Sequence, residues 1–141
     1  MALAKISYPR VYWLAYLIDA YLNAGRFAEG LVTVERAFSL TEVLLDVFYD
    51  AEFHRLKGEL LLRVADPAGA EAAFRRALEI AARQGALSLE LRAATSLGRL
   101  LREQGRIDEA RQLVAGAYGA FREGFETRDL QDARELLGEL G

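Results

Sequence analysis

Small residues return along this chain at a spacing of about 40. Ala37, Ala77 and Ala117 fall in register, as do Gly58 with Gly98 and Ala70 with Ala110, while Gly25 and Gly105 stand two periods apart. A small residue repeated at one position lets two helices close until the ridges of one mesh with the grooves of the other. A short helix pair cannot bury its apolar faces alone, so such units must stack, and the last one needs a cover. The recurrence therefore points to an all-α stack of helix pairs.

The helical periodicity between these marks is continuous. Tyr8–Asn23 carries an apolar stripe at Leu14, Leu17, Ile18 and Tyr21 and stops at Gly25, which suits the left-handed position that ends helices. A second helix is expected from Phe27 to Leu40, followed by a weakly marked connection around Thr41, and a third from Val47 to Val64. Asp66 then reads as an N-cap with Pro67 at the first helical position, where a missing N–H is harmless. The fourth helix stops at Gly85 and the fifth covers Leu87–Glu103. The sixth is expected over Ile107–Glu123, closed by Gly124 with Phe125 folded back on the last turn. Thr127 is placed to cap a seventh.

The resulting expectation is one domain over residues 1–141: an α-solenoid of three helix-turn-helix hairpins (about 8–45, 47–85 and 87–124) plus a capping helix at 127–140. Only two prolines interrupt the chain, at Pro9 and Pro67. Net charge is −3, against the basic face that a nucleic-acid scaffold usually carries. No cysteine is present, which excludes disulfides and thiolate metal sites and agrees with a reducing cytoplasm. Apolar runs such as Val11–Ile18 are too short to span a bilayer. No nucleic acid, membrane, metal or cofactor is expected as a partner.

The unit containing Gly58, Ala70, Phe74 and Ala77, repeated with Leu97, Gly98, Ala110 and Ala117, resembles the tetratricopeptide repeat in a long-helix form. Leu17, Tyr21, Gly25, Phe27 and Ala37 extend the pattern to the first unit, where Ile18 takes the small position and Gly30 the usual alanine. That pair reads as a large-for-small exchange across one contact. From Tyr49 to Leu140 the chain is similar to the C-terminal repeats of bacterial multidomain signalling proteins, which carry a cyclase or transcription-regulator domain and an AAA-type or NACHT-like ATPase. The resemblance implies protein–protein interaction in an ATPase-linked signalling system and transfers no catalysis, because no GxxxxGK[ST] phosphate loop is present.

Under that resemblance the first helices of the hairpins line a groove. Arg92, Thr95, Arg99 and Arg102 share one face of the fifth helix and form a basic ladder suited to a carboxylate or an acidic peptide. Arg55 and Glu59 occupy similar places on the third helix with Glu52 and Arg63, and Tyr12, Asp19 and Asn23 on the first. The competing reading is a solvated face held by intrahelical pairs such as Arg55 with Glu59. His54, the only histidine, falls at a packing position, and no acid–base or nucleophile cluster is visible, so no enzyme is expected. Tyr8, Tyr12, Trp13 and Tyr16 crowd the first helix, and nothing before it covers its outer side. Another repeat, an upstream domain or a second copy of the chain is expected to dock there. The expected function is a scaffold or interaction module with a protein or peptide partner; the rivals are a small-molecule effector sensor and a homo-oligomerisation module.

Overall fold

The computed structural model describes residues 2–44 and 47–141, with the side chains of residues 2–10 outside that description. Among the described residues the chain is helical and has no strand: α1 (Ala2–Asn23), α2 (Phe27–Leu44), α3 (Asp50–Arg63), α4 (Pro67–Gln84), α5 (Leu87–Glu103), α6 (Ile107–Gly119) and α7 (Arg128–Leu140).

The ends of these helices follow local chemistry. Gly25, Gly85 and Gly105 all adopt positive φ. At each, the next amide reaches back five residues, as Arg26 N–H does to the Tyr21 carbonyl at 2.9 Å, the doubled bond of a Schellman cap. Ala65 closes α3 in the same way at φ 61, although it carries a Cβ. Residues 25, 65 and 105 thus mark the ends of α1, α3 and α5 at a spacing of 40. The Asp66 carboxylate accepts from the Gly69 amide at 3.0 Å, with Pro67 opening α4, as expected of a cap.

Several expected details differ, beginning with α1, which starts at Ala2 and not at Tyr8. Helix α2 continues through Thr41 to Leu44, and Thr41 turns its hydroxyl onto the Phe38 carbonyl (3.0 Å) instead of starting a loop. Helix α3 begins at Asp50 rather than Val47. Helix α6 ends at Gly119, not Glu123: Gly116 and Gly119 weaken its last turn, and leaving the helix lets Phe121 pack on the core while Phe125 meets Tyr118 at 5.7 Å. Gly124 has the expected positive φ, but it shapes the loop after the helix. Thr127 stands at the N-cap of α7 without a side-chain capping bond.

Each helix packs on its chain neighbour, and α1, α3, α5 and α7 also pack in succession on one another. One core cluster joins Val11, Ile18, Val34, Phe53 and Leu60 across α1–α3, and another joins Phe74, Leu91, Leu97, Val114 and Leu136 across α4–α7. Residues 30–41 repeat their sequence of buried, half-buried and exposed positions one for one at 70–81, so α2 and α4 meet equivalent surroundings. The small residues sit at the closest approaches. A Cβ on Gly98 would lie 2.5 Å from a Val114 methyl, and one on Gly58 would run into the Phe74 ring. Gly30 does not make room for Ile18 as expected. The atoms nearest a Cβ there belong to Leu60 (2.7 Å) and Tyr21, so the glycine accommodates α3.

Candidate functional site

Two adjoining clefts run across the row formed by α1, α3, α5 and α7, sharing Arg55 and Arg92. The first, of about 230 Å³, is lined by Tyr12, Tyr16 and Asp19 of α1, Tyr49, and Glu52 and Arg55 of α3 with Arg92 of α5. The second, of about 170 Å³, carries Arg55, Arg92, Thr95, Ser96 and Arg99, closed by Arg128, Asp129 and Asp132 of α7. Residues 12, 52 and 92 occupy one position of the period, and 19, 59 and 99 another. Along that second line the charge changes sign: Asp19, Glu59, Arg99.

The floor between the clefts is a buried ion cluster. Arg55 donates to both Glu52 oxygens from Nε (2.8 Å) and Nη2 (2.9 Å), a bidentate pair whose side chains are 13% and 8% exposed. Arg92 adds a bond to the same carboxylate from α5 at 2.7 Å and faces Asp129 of α7 at 3.6 Å. Burial works against the Arg55 charge, but the Glu52 bonds more than offset it, and its pKa lies above the ordinary value. One carboxylate therefore ties α3 to α5, and Arg92 continues the tie to α7.

This arrangement separates the expected ladder. Arg92 is engaged by Glu52 and Asp129, and Arg102 pairs with Glu139 of α7. Thr95 is buried and spends its hydroxyl on the Leu91 carbonyl at 2.9 Å. Arg99 alone of the four is exposed and makes no ion pair with a described residue. The expected pair of Arg55 with Glu59 is present at 3.9 Å, longer than the pair with Glu52.

The aromatic residues also divide. Tyr12 and Tyr16 face the first cleft, their hydroxyls 2.8 Å apart, whereas Trp13 does not line it and is 65% exposed. Tyr8 belongs to the residues whose side chains lie outside the description. Tyr49 was not anticipated: it sits in the connection before α3, and its ring reaches Tyr12 at 5.4 Å. Ser96, Arg128 and Asp132 were missed too: the packing of α7 on α5 brings Arg128 and Asp132 to the groove, and that of α3 on α5 brings the Arg55 guanidinium to the Ser96 hydroxyl at 3.4 Å.

His54 stacks on Phe38 at 4.4 Å, away from both clefts. On the opposite layer Glu71 and Arg75 of α4 join Glu109 of α6 and Arg106 in a ring of bonds of 2.7–2.9 Å. Among the described residues no group of three or more His, Cys, Asp or Glu gathers as metal ligands, and no helix is long and apolar enough to cross a membrane. No protein-family model matches this chain, and neither does any curated protein or solved structure.

Proposed function

We propose that this chain is a non-catalytic interaction module, a solenoid of three tetratricopeptide-like hairpins closed by α7, whose groove takes an extended segment of a partner protein. The 40-residue recurrence of caps, small residues and burial supports the repeat reading. The observation that carries the binding reading is the pair of adjoining clefts. Their charged floor is satisfied internally, while the Tyr12 and Tyr16 rings and the Arg99 guanidinium remain outward. A rigid floor with exposed aromatic and arginine side chains on its rim is the composition of a binding surface. The proposed partner belongs to a cytoplasmic bacterial signalling assembly linked to an ATPase, a reading supported by the resemblance of the repeats alone.

A photo-crosslinking residue placed at 99, at 16 or, as a control, at 134 on the exposed part of α7 tests this in lysate of the source cell. One protein captured from 99 and 16 and not from 134 supports the groove. Capture that is equal from all three, or from 134 alone, overturns it.

Trp13 favours a second reading, docking at the outer side of α1. Its counterparts one and two periods on, Phe53 and Ala93, are 0% and 1% exposed, and the Phe53 ring meets Phe38 of the preceding helix. A helix pair of the same kind, from an adjoining repeat or a second copy, would cover Trp13 likewise. Sedimentation of the chain beside Trp13→Lys tests the second-copy form: a dimer lost in the variant supports it, and a monomer in both excludes it.

A further inference from the structure

The outer side of α1 carries an uncharged stripe. Trp13, Leu17, Ala20 and Ala24 fall within about 60° of one another at 3.6 residues per turn. Trp13 is 65% exposed, Ala20 and Ala24 are exposed and Leu17 is half-buried. We infer that a second copy of the chain covers this stripe, the two α1 helices running antiparallel with Trp13 of each on Ala20 of the other. The inference rests on the reading of Trp13 as a docking face and commits that face to one occupant.

The contact of α2 with α3 shows how the equivalent stripe is covered one period on. Phe53 and Leu60 stand where α1 has Trp13 and Ala20, and both are 0% exposed. Leu60 fills the space over Gly30, where a Cβ would lie 2.7 Å from a Leu60 methyl, and the Phe53 ring stands 6.3 Å from Phe38 at 89°. Since residue 30 meets 60 and residue 38 meets 53, α2 lies antiparallel on α3. Relative to α3, α1 has a larger side chain at the first position and a smaller one at the second. Close packing then asks for a cover that is small where α2 has Phe38 and large where α2 has Gly30. Helix α1 read in reverse has that pattern: Ala20 comes to Trp13 and Trp13 to Ala20, at the same separation in sequence as Phe53 and Leu60. The two contacts are one contact made twice, which is the condition for a two-fold interface.

The other end of the stack opposes head-to-tail pairing. Helix α7 buries Leu130, Leu136 and Leu140 and turns Arg134, Glu135 and Glu139 outward. Laid on Trp13, those charges would lose water and gain no partner from the stripe. The association therefore closes at two copies. Tyr12 and Tyr16 line the groove beside the stripe and are not part of it. One helix pair centred on two indoles of at most roughly 250 Å² each buries less than the roughly 1,200 Å² of a standard interface, so the Kd is expected in the micromolar range.

The test is sedimentation velocity, from micromolar to near-millimolar concentration, of the chain, of Trp13→Ala, of Ala20→Trp and of an equimolar mixture of the two variants. The original chain is expected to dimerise. Trp13→Ala sets alanine against alanine and Ala20→Trp sets tryptophan against tryptophan, so each variant alone should dimerise at least about tenfold more weakly. In the mixture each tryptophan again meets an alanine, and a heterodimer should return with a Kd within about threefold of the original. Both positions are exposed, so both variants should keep the fold, which circular dichroism reports. An original chain that stays monomeric, a dimer indifferent to both changes, or a mixture no better than its parts overturns the inference. If the original chain is monomeric, a photo-crosslinking residue at 20, used in lysate of the source cell, separates the two failures. Capture of another protein there keeps docking at α1 with a different occupant; no capture removes that reading as well.

Discussion

The Phe74 ring fills the place that a side chain on residue 58 would need. A Cβ on Gly58 would lie 2.6 Å from Cδ1 and 2.9 Å from Cζ of that ring, with Cε1 nearer still. Phe74 is fully buried, so the ring has little space into which to retreat. The same relation recurs one period later, where Gly98 faces Val114.

Gly58→Ala would ordinarily favour a helix by about 1 kcal/mol. Here the overpacking penalty of about 1–3 kcal/mol should win, and urea denaturation should show a net loss of stability. Phe74→Ala should lose about 3–5 kcal/mol. Combining Gly58→Ala with Phe74→Leu should be less damaging than the sum of the two, because one change vacates the volume that the other fills. Additive losses would mean that the two residues are not in contact.

Ala65 ends α3 at φ 61, where α1 and α5 use Gly25 and Gly105. A left-handed conformation costs a residue with a Cβ about 1–2 kcal/mol, partly offset by the lower chain entropy of alanine when unfolded. Ala65→Gly is therefore expected to stabilise the chain by about 0.5–1 kcal/mol, read as a raised Tm. Ala65→Val should move it in the opposite direction.

Much of the fold was legible because it follows from local rules. Glycines at helix ends, Asp66–Pro67 as a start signal, and alanines at a fixed period each have a mechanism acting within a few residues. The misses have non-local causes. The early end of α6 depends on where Phe121 and Phe125 find partners, and the role of Gly30 depends on Leu60 of the next hairpin. The groove shows the same limit. Helical spacing placed Arg92, Arg99 and Arg102 on one face, but which of them stays unpaired is decided by Glu52 on α3 and Glu139 on α7. Helical periodicity finds the face and says nothing about the carboxylates that neighbouring helices bring to it.

Glu52 holds two arginines from two helices, and that makes it the most sensitive charge in the groove. Glu52→Ala would leave the Arg55 guanidinium, 13% exposed, without its bidentate partner. Removing one member of a buried pair typically costs about 3–5 kcal/mol, and denaturation should show a loss of that order. Arg102→Ala, whose pair with Glu139 lies at the surface, should lose at most about 1 kcal/mol. Similar losses for the two variants would place the Glu52 cluster in solvent.

His54 makes stability depend on pH in a window that no other side chain of its type shares, since it is the only histidine. Its pKa is lowered to about 4 from 6.5, first by burial and then by the positive charges of Arg76 and Lys57, with Glu35 opposing them. The folded chain therefore keeps the imidazole neutral at pH values where the unfolded chain has protonated it. With more protons bound in the unfolded state, stability rises with pH across that interval. The contribution is complete above about pH 6.5, declines as the pH falls towards 4, and is lost below it. Thermal melts from pH 7.5 to 5 should show Tm falling in the original chain before the carboxylates titrate. His54→Gln, which keeps a polar group of similar size and removes the titration, should flatten that fall. An equal slope in the variant would mean that the histidine is as solvated in the folded state as in the unfolded one.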